Sequence, residues 1–447
     1  MLKIGYYLKV GWCENMLKRK IMDDLIAWKN EKNKKSLIIN GARQVGKTYI
    51  IRKFGATNYK HFVEINFVEH EEYKEIFNGS LNGKDIESQI RLRVPAARDM
   101  VAGETLIFLD EIQECPNAIT ALKFLTIDAR FDYIASGSLL GFVHKDVKSY
   151  PVGYVKNIKM HSMDFEEFLW ANGVLEENIS DIKDCFINKK SVHPSAHSVM
   201  LQHFKNYIVV GGMPEVVETF IETKDYNKVL NIQKDIIEQY KEDIQKYAPT
   251  TEKPKIKACF ESIPKHLAQD YKKFRYSYVE PNGKARKFAG SLEWLHDAEI
   301  IEYCNNLRIP ELPLEGNSEE ETFKVYMKDI GLLTAMLEEG SQIDILDGNL
   351  GIYKGAIYEN VIADIFSKKD KKLYYFYYNS TLEIDFIIRY NGKVCGIEVK
   401  SGDNTKSKSL NSLIENWGIK QGIKLSTKNI GVGEQTYNIP LYMAIFL

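Results

Sequence analysis

The run GARQVGKT, Gly41 to Thr48, fits the spacing G-x-x-x-x-G-K-[ST] without a mismatch. That spacing suits a loop that cradles phosphates. Gly41 and Gly46 permit tight turns, and successive backbone N–H groups through Ala42, Arg43, Gln44, Val45 and on to Tyr49 then point at an anion. Lys47 would reach the β- and γ-phosphates of ATP, and the Thr48 hydroxyl would ligate Mg2+. The flanks agree. SLIIN (36–40) reads as a buried strand, and TYIIRKF reads as a helix that aims its positive end at the anion.

A second constellation is TLIFLDEIQ, in which four apolar residues lead into Asp110 and Glu111. A carboxylate ending a buried strand beside the loop can hold the Mg2+ shell, the role expected of Asp110. Its neighbour Glu111 can orient and polarise the attacking water as catalytic base. The plainer alternative is a helix cap followed by a first-turn acid. YIASGS places Ser136 and Ser138 at another strand end, where a hydroxyl could sense the γ-phosphate or simply belong to a polar turn.

Near the C-terminus, Asn391-Gly392 between two apolar-rich runs signals a two-residue hairpin. With Tyr390 paired to Lys393, Asp385 lies opposite Glu398 and Glu383 opposite Lys400, all on one face unless a bulge intervenes. Asp385 and Glu398 would make a hard-oxygen site for Mg2+ or Mn2+, and Lys400 would orient a metal-activated water. The alternatives are an ordinary cross-strand ion-pair ladder, or a site that grips a partner without cutting it.

These residues need elements to hold them. At 447 residues the chain suggests about three domains. Lys plus Arg is 60 against 61 Asp plus Glu, which excludes a wholly basic nucleic-acid coat protein but not a local basic face. Charged residues at 27% and apolar ones at 44% argue against general disorder. Residues 36–140 alternate strands (36–40, 62–67, 105–110, 133–136) with helical patterns, predicting an α/β domain with a mostly parallel sheet. From 161 to 250 long helical patterns carry 15 acidic against 9 basic residues, and 251–290 then carries 10 basic against 4 acidic, a swing that marks a boundary. The last hundred residues return to α/β character.

The six cysteines are scattered without C-x-x-C spacing, so neither a disulfide framework nor a zinc site is expected and a reducing cytoplasm suits the chain. No apolar run approaches membrane-spanning length. Residues 1–15 read as a tail or an extension from an upstream start codon.

The phosphate loop, the LDEIQ strand end and the SGS strand end resemble the AAA+ superfamily of ATPases. They are most similar to a prokaryotic group that also carries a PVGR segment leading into an S-F-x-E-F-L helix, matched here by PVGYVKNIKMHSMDFEEFLWANG. The resemblance implies an ATPase domain over 16–160 followed by a helical lid over 161–250. Where the group has Arg after PVG, this chain has Tyr154; Arg130 is a speculative substitute beside its plainer reading as a solvated helix-end residue. Relatives also have a winged-helix-like region, corresponding to 251–335. There the helix-turn-helix pattern would present Lys284, Arg286 and Lys287 to DNA, or else pack a basic face on the acidic helices. The C-terminal motif resembles the PD-(D/E)xK restriction-endonuclease-like fold over 336–447, with Asp385, Glu398 and Lys400 as its motif and Glu359 as its first-helix acid. The reading as a whole predicts a P-loop ATPase with ATP and Mg2+ that acts on nucleic acid, alone or as a small oligomer, or an ATP-dependent switch with an inactive nuclease fold.

Overall fold

The structure, a computed structural model, describes residues 17–137, 150–269, 272–349, 351, 353–379, 381–400, 408–433 and 435–447. The tail and Ser138 therefore lie outside the described residues.

The apolar runs of the first third form strands β1 (Ser36–Asn40), β2 (His61–Asn66), β3 (Thr105–Asp110), β4 (Asp132–Gly137) and β5 (Val155–Lys159). They make one parallel sheet in the order β2-β3-β4-β1-β5. Helix Lys47–Asn58 covers one face, and helices Gly83–Arg93 and Pro116–Asp128 cover the other. Burial on both faces is why β3 is apolar from Leu106 to Leu109, up to Asp110. The sheet has one strand that periodicity does not announce. VKNIK mixes polar and apolar residues because β5 is a half-exposed edge strand beside β1.

After the sheet come five helices: Phe165–Ala171, Glu176–Ile187, Pro194–Val210, Pro214–Thr223 and Tyr226–Tyr247. The first opens with a reciprocal capping box between Asp164 and Glu167. Helices Lys253–Leu267 and Ala285–Asp297 bury Phe260, Ile263 and Leu267 against Phe288, Leu292 and Leu295, and lead into the antiparallel pair β6 (Ile301–Leu307) and β7 (Ser318–Met327). β8 (Leu373–Tyr378) and β9 (Leu382–Ile384) complete a sheet in the order β7-β6-β8-β9. A mixed sheet ends the chain, with β10 (Phe386–Tyr390), β11 (Lys393–Val399), β12 (Gln421–Ser426), β13 (Gly431–Val432) and β14 (Thr436–Pro440) in the order β10-β11-β12-β14-β13. One apolar core runs from a face of the first sheet through the helices to the C-terminus.

The hairpin register holds where the turn controls it. Asn391 and Gly392 both have positive φ, Tyr390 pairs with Lys393, and Phe386 pairs with Ile397. The expected pairing of Glu383 with Lys400 is not made. The chain bends at Asp385, and the preceding residues leave for another sheet, where Glu383 pairs with Tyr377 of β8. Asp385 itself spans the gap, accepting a 2.7 Å hydrogen bond from the Val399 N–H.

Candidate nucleotide site and the C-terminal acidic face

Every residue of the first constellation lies at the C-terminal edge of the parallel sheet, because the loop follows β1, Asp110 ends β3 and Ser136 is the next-to-last residue of β4. The loop is held open by what surrounds it. A Cβ on Gly41 would stand 2.1 Å from the Met160 carbonyl oxygen, so only glycine fits where the chain after β5 crosses it. Gly46 takes φ +93° and caps helix Lys47–Asn58, which has no side-chain cap and no acid in its first turn. Its free N–H groups are thus left for an anion.

Lys47 donates to the carbonyl oxygens of Gly41 at 2.9 Å and Ala42 at 2.7 Å. Burial pulls its ammonium down to about 8, against the opposing pull of Glu111 and Asp110. A half-buried cation beside uncapped N–H groups is a site that gains from an incoming polyanion. Thr48 Oγ1 stands 3.1 Å from Asp110 Oδ2. Burial raises the Asp110 carboxyl, hydrogen bonds from Ser136 and Thr48 counter that, and the charge of Glu111 adds to it. The Thr48 hydroxyl and the Asp110 carboxylate are hard oxygen donors side by side, and the chemistry of that pair fits Mg2+.

Two expected roles are modified by contacts. Ser136 is buried, and its hydroxyl donates to Asp110 Oδ1, so it faces the acid and not open space above the loop. Glu111 adopts φ +53° at the strand end, and the buried Gln113 amide donates to its carboxylate. Position 154 precedes β5, whose first residue pairs with Ser36 at the start of β1. Tyr154 therefore lies at the sheet edge opposite the loop, about 16 Å away by strand rise. Arg130 is at that same edge, ion-paired to Asp128 and Glu87, so within one chain it does not substitute for a missing arginine.

Sequence reasoning missed several contributors. Asn66, paired with Asp110 in the register of β2 and β3, donates to its Oδ2 at 3.3 Å. Arg19 donates to the Val45 carbonyl at 3.0 Å and to Glu167 at 3.2 Å, pinning the loop from beneath. Helix Tyr226–Tyr247 lies against the loop, with Asp243 paired to Arg43, Gln239 to Gln44 and the Tyr240 hydroxyl 3.4 Å from the Arg43 carbonyl. Only Asn66 carried a local signal, as a polar residue ending a strand.

The C-terminal constellation is gathered differently. Glu359, on helix Tyr353–Ser367, is buried and paired with Lys272, with Lys324 3.6 Å away and the Tyr326 hydroxyl at 3.2 Å. Glu383 pairs with Lys324 at 2.6 Å. Desolvation, reinforced by the charge of Glu359, pushes Asp385 up to about 8. Burial alone would lower Lys324, but Glu359, Glu383 and Asp385 overcome it and hold the ammonium charged. Lys400 pairs with Glu398. The acids therefore split into a lysine-filled cluster of Glu359, Glu383 and Asp385, and a separate Glu398–Lys400 pair. Among the described residues no group of three or more His, Cys, Asp or Glu could hold a metal ion.

Comparison with known proteins follows this division. Residues 33–169 match the family described as AAA domain, the part of the chain that forms the five-stranded parallel sheet. Residues 201–342 and 354–443 match two families described as domains of unknown function, DUF8612 and DUF4143. No curated protein matches the chain. Similar solved structures include a Walker-type ATPase of Pyrococcus abyssi, 14% identical, covering 72% of this chain and 96% of that one with a TM-score of 0.42. Another is the Aeropyrum pernix Orc1 protein in complex with DNA, 12% identical, covering 74% and 90% with a TM-score of 0.27. Among the described residues no helix is long and apolar enough to cross a membrane.

Proposed function

We propose that the chain binds ATP with Mg2+ at Gly41–Thr48, hydrolyses it, and uses the change to control a nucleic acid held by its middle and C-terminal parts. The observation that carries this reading is the placement of Lys47, Thr48 and Asp110 around one uncapped helix end, with Thr48 and Asp110 in hydrogen-bond contact.

The loop N–H groups and Lys47 would bind the β- and γ-phosphates, drawing negative charge toward the protein as the terminal phosphoryl leaves. Thr48 and Asp110 would hold Mg2+, which supplies charge neutralisation between those phosphates. Ser136 and Asn66 would fix the Asp110 carboxylate for that purpose, as positioning residues. Glu111 would accept a proton from the attacking water, with Gln113 setting the direction of its carboxylate.

The nucleic-acid part of the reading is supported by exposed Lys284, Arg286 and Lys287 at the start of helix Ala285–Asp297, ahead of the β6–β7 hairpin. Basic residues at a helix start next to a hairpin suit contact with duplex phosphates, although Lys287 also pairs with Glu280. The corresponding division is an ATPase domain over 16–160, a helical lid over 161–250, a winged-helix-like part over 251–335 and a nuclease-like part over 336–447. The order helix, β8, β9–β10, β11, helix, β12, with Asp385 and Glu398 flanking the hairpin, supports a PD-(D/E)xK-like fold for the last part. A second reading, an ATP-dependent switch with a nuclease fold that does not cut, is favoured by the lysines that fill its acidic face.

ATP turnover measured with and without duplex DNA tests the coupling. Turnover that changes severalfold with DNA, and loses that response in Lys284→Glu/Arg286→Glu, is the expected result. DNA-insensitive turnover would remove nucleic acid from the account and leave the ATPase.

A further inference from the structure

The carboxylates of a metal-dependent nuclease must present free oxygens to a divalent ion, and here the oxygens of Glu359 and Glu383 are already answered by cations from inside the protein. Lys324 is on β7, upstream of the nuclease-like part, and is only 1% exposed. Its ammonium lies 2.6 Å from Glu383 and 3.6 Å from Glu359. Lys272, from the segment after helix Lys253–Leu267, takes the other oxygen of Glu359. Tyr326, the second residue beyond Lys324 on the same strand, donates to Glu359 as well. Asp385 spends one oxygen on the Val399 N–H, and Lys400 takes one oxygen of Glu398, whose other oxygen is buried without a hydrogen-bond partner.

We propose that Lys324 and Lys272 are built-in counter-cations that take the place of a divalent metal, so that this acidic face is a joint between the β6–β7 hairpin and the C-terminal part and not a cleavage centre. The physical case is one of charge and access. A divalent ion entering beside Lys324 would meet a positive charge a few Å away in a poorly solvated site, where repulsion between like charges is severe. Lys324 cannot swing aside to water, because its backbone is paired with Cys304 of β6 and the side chain is enclosed. Moreover, the two lysines come from elements outside the helix–hairpin unit that carries the acids, so their pairing ties that unit to the middle of the chain. Such a buried pairing costs desolvation, but breaking one partner leaves an uncompensated charge.

The test needs no nucleotide, so its failure is separable from failure of the ATPase reading. Free Mn2+ is followed by electron paramagnetic resonance during titration of the full chain carrying Asp110→Ala, which removes the loop site from the count. The same chain with Asp385→Ala should bind no less Mn2+, and neither should nick supercoiled DNA in Mn2+. Adding Lys324→Met should raise Mn2+ uptake by about tenfold or more, the effect of lifting on the order of 1.4 kcal/mol of repulsion. If that variant does not fold, the comparison of the Asp110→Ala chain with and without Asp385→Ala decides alone. Mn2+ binding or Mn2+-dependent DNA cleavage that disappears with Asp385→Ala would overturn the proposal.

Discussion

Thr48 Oγ1 lies 3.1 Å from Asp110 Oδ2, although 62 residues separate them in sequence. The contact joins the first turn of the helix after the phosphate loop to the end of a fully buried strand. Parallel pairing of β3 through β4 to β1 sets that distance, so the two proposed metal ligands are placed by the buried centre of the sheet.

Loss of the Glu111 carboxylate should separate binding from turnover. Glu111→Gln keeps the shape of the side chain and removes the proton acceptor, so ATP affinity should stay within a few-fold of the native chain. The turnover rate should fall by roughly a hundredfold or more, the usual contribution of a positioned base. Equal loss of affinity and rate would place Glu111 in binding instead.

Gly41 offers a steric test. Gly41→Ala would drive a Cβ against the Met160 carbonyl oxygen at 2.1 Å, while Gly290→Ala, on helix Ala285–Asp297, meets nothing within 4 Å. The first should lower the thermal midpoint at a cost of about 1–3 kcal/mol and weaken ATP binding with it. The second should leave both unchanged or slightly raised.

Asp243 pairs with Arg43 on the loop and adds a negative charge that also acts on Lys47. Asp243→Asn should tighten ATP binding several-fold by removing repulsion toward the phosphates, as read by nucleotide titration. Weaker binding would mean that the helix contact holds the loop in its binding shape.

Asp364 provides the pH signature. Burial raises its carboxyl to about 7, offset in part by Lys368 and reinforced by Asp329. In the folded chain it holds its proton between the ordinary carboxylate range and about 7, whereas the unfolded chain does not. Stability from this group is therefore greatest at low pH and is lost as pH rises toward 7. In Asp364→Asn the thermal midpoint should decline less between pH 5 and pH 7 than in the native chain.

The N-terminal site was legible because its chemistry is contiguous: eight residues form the loop, and an apolar run ending in Asp110-Glu111 announces its partner. The hairpin register was legible for the same reason, since Asn391-Gly392 fixes it locally. What escaped is what depends on distant segments. β5 has no apolar run to betray it, because an edge strand needs none. Arg19, Gln239 and Asp243 reach the loop across long sequence separations. The bend at Asp385 sends Glu383 to β8, and no local spacing reveals that Lys324 waits there.

The central claim is that the Gly41–Thr48 loop holds a triphosphate with Mg2+. Calorimetric titration of the folded chain with ATP and Mg2+ tests it most directly, run beside Lys47→Ala with folding checked by circular dichroism. Saturable heat from the native chain, with affinity reduced by at least about tenfold in Lys47→Ala, is the predicted result. Equal binding by the two chains, or no heat from either, would contradict it.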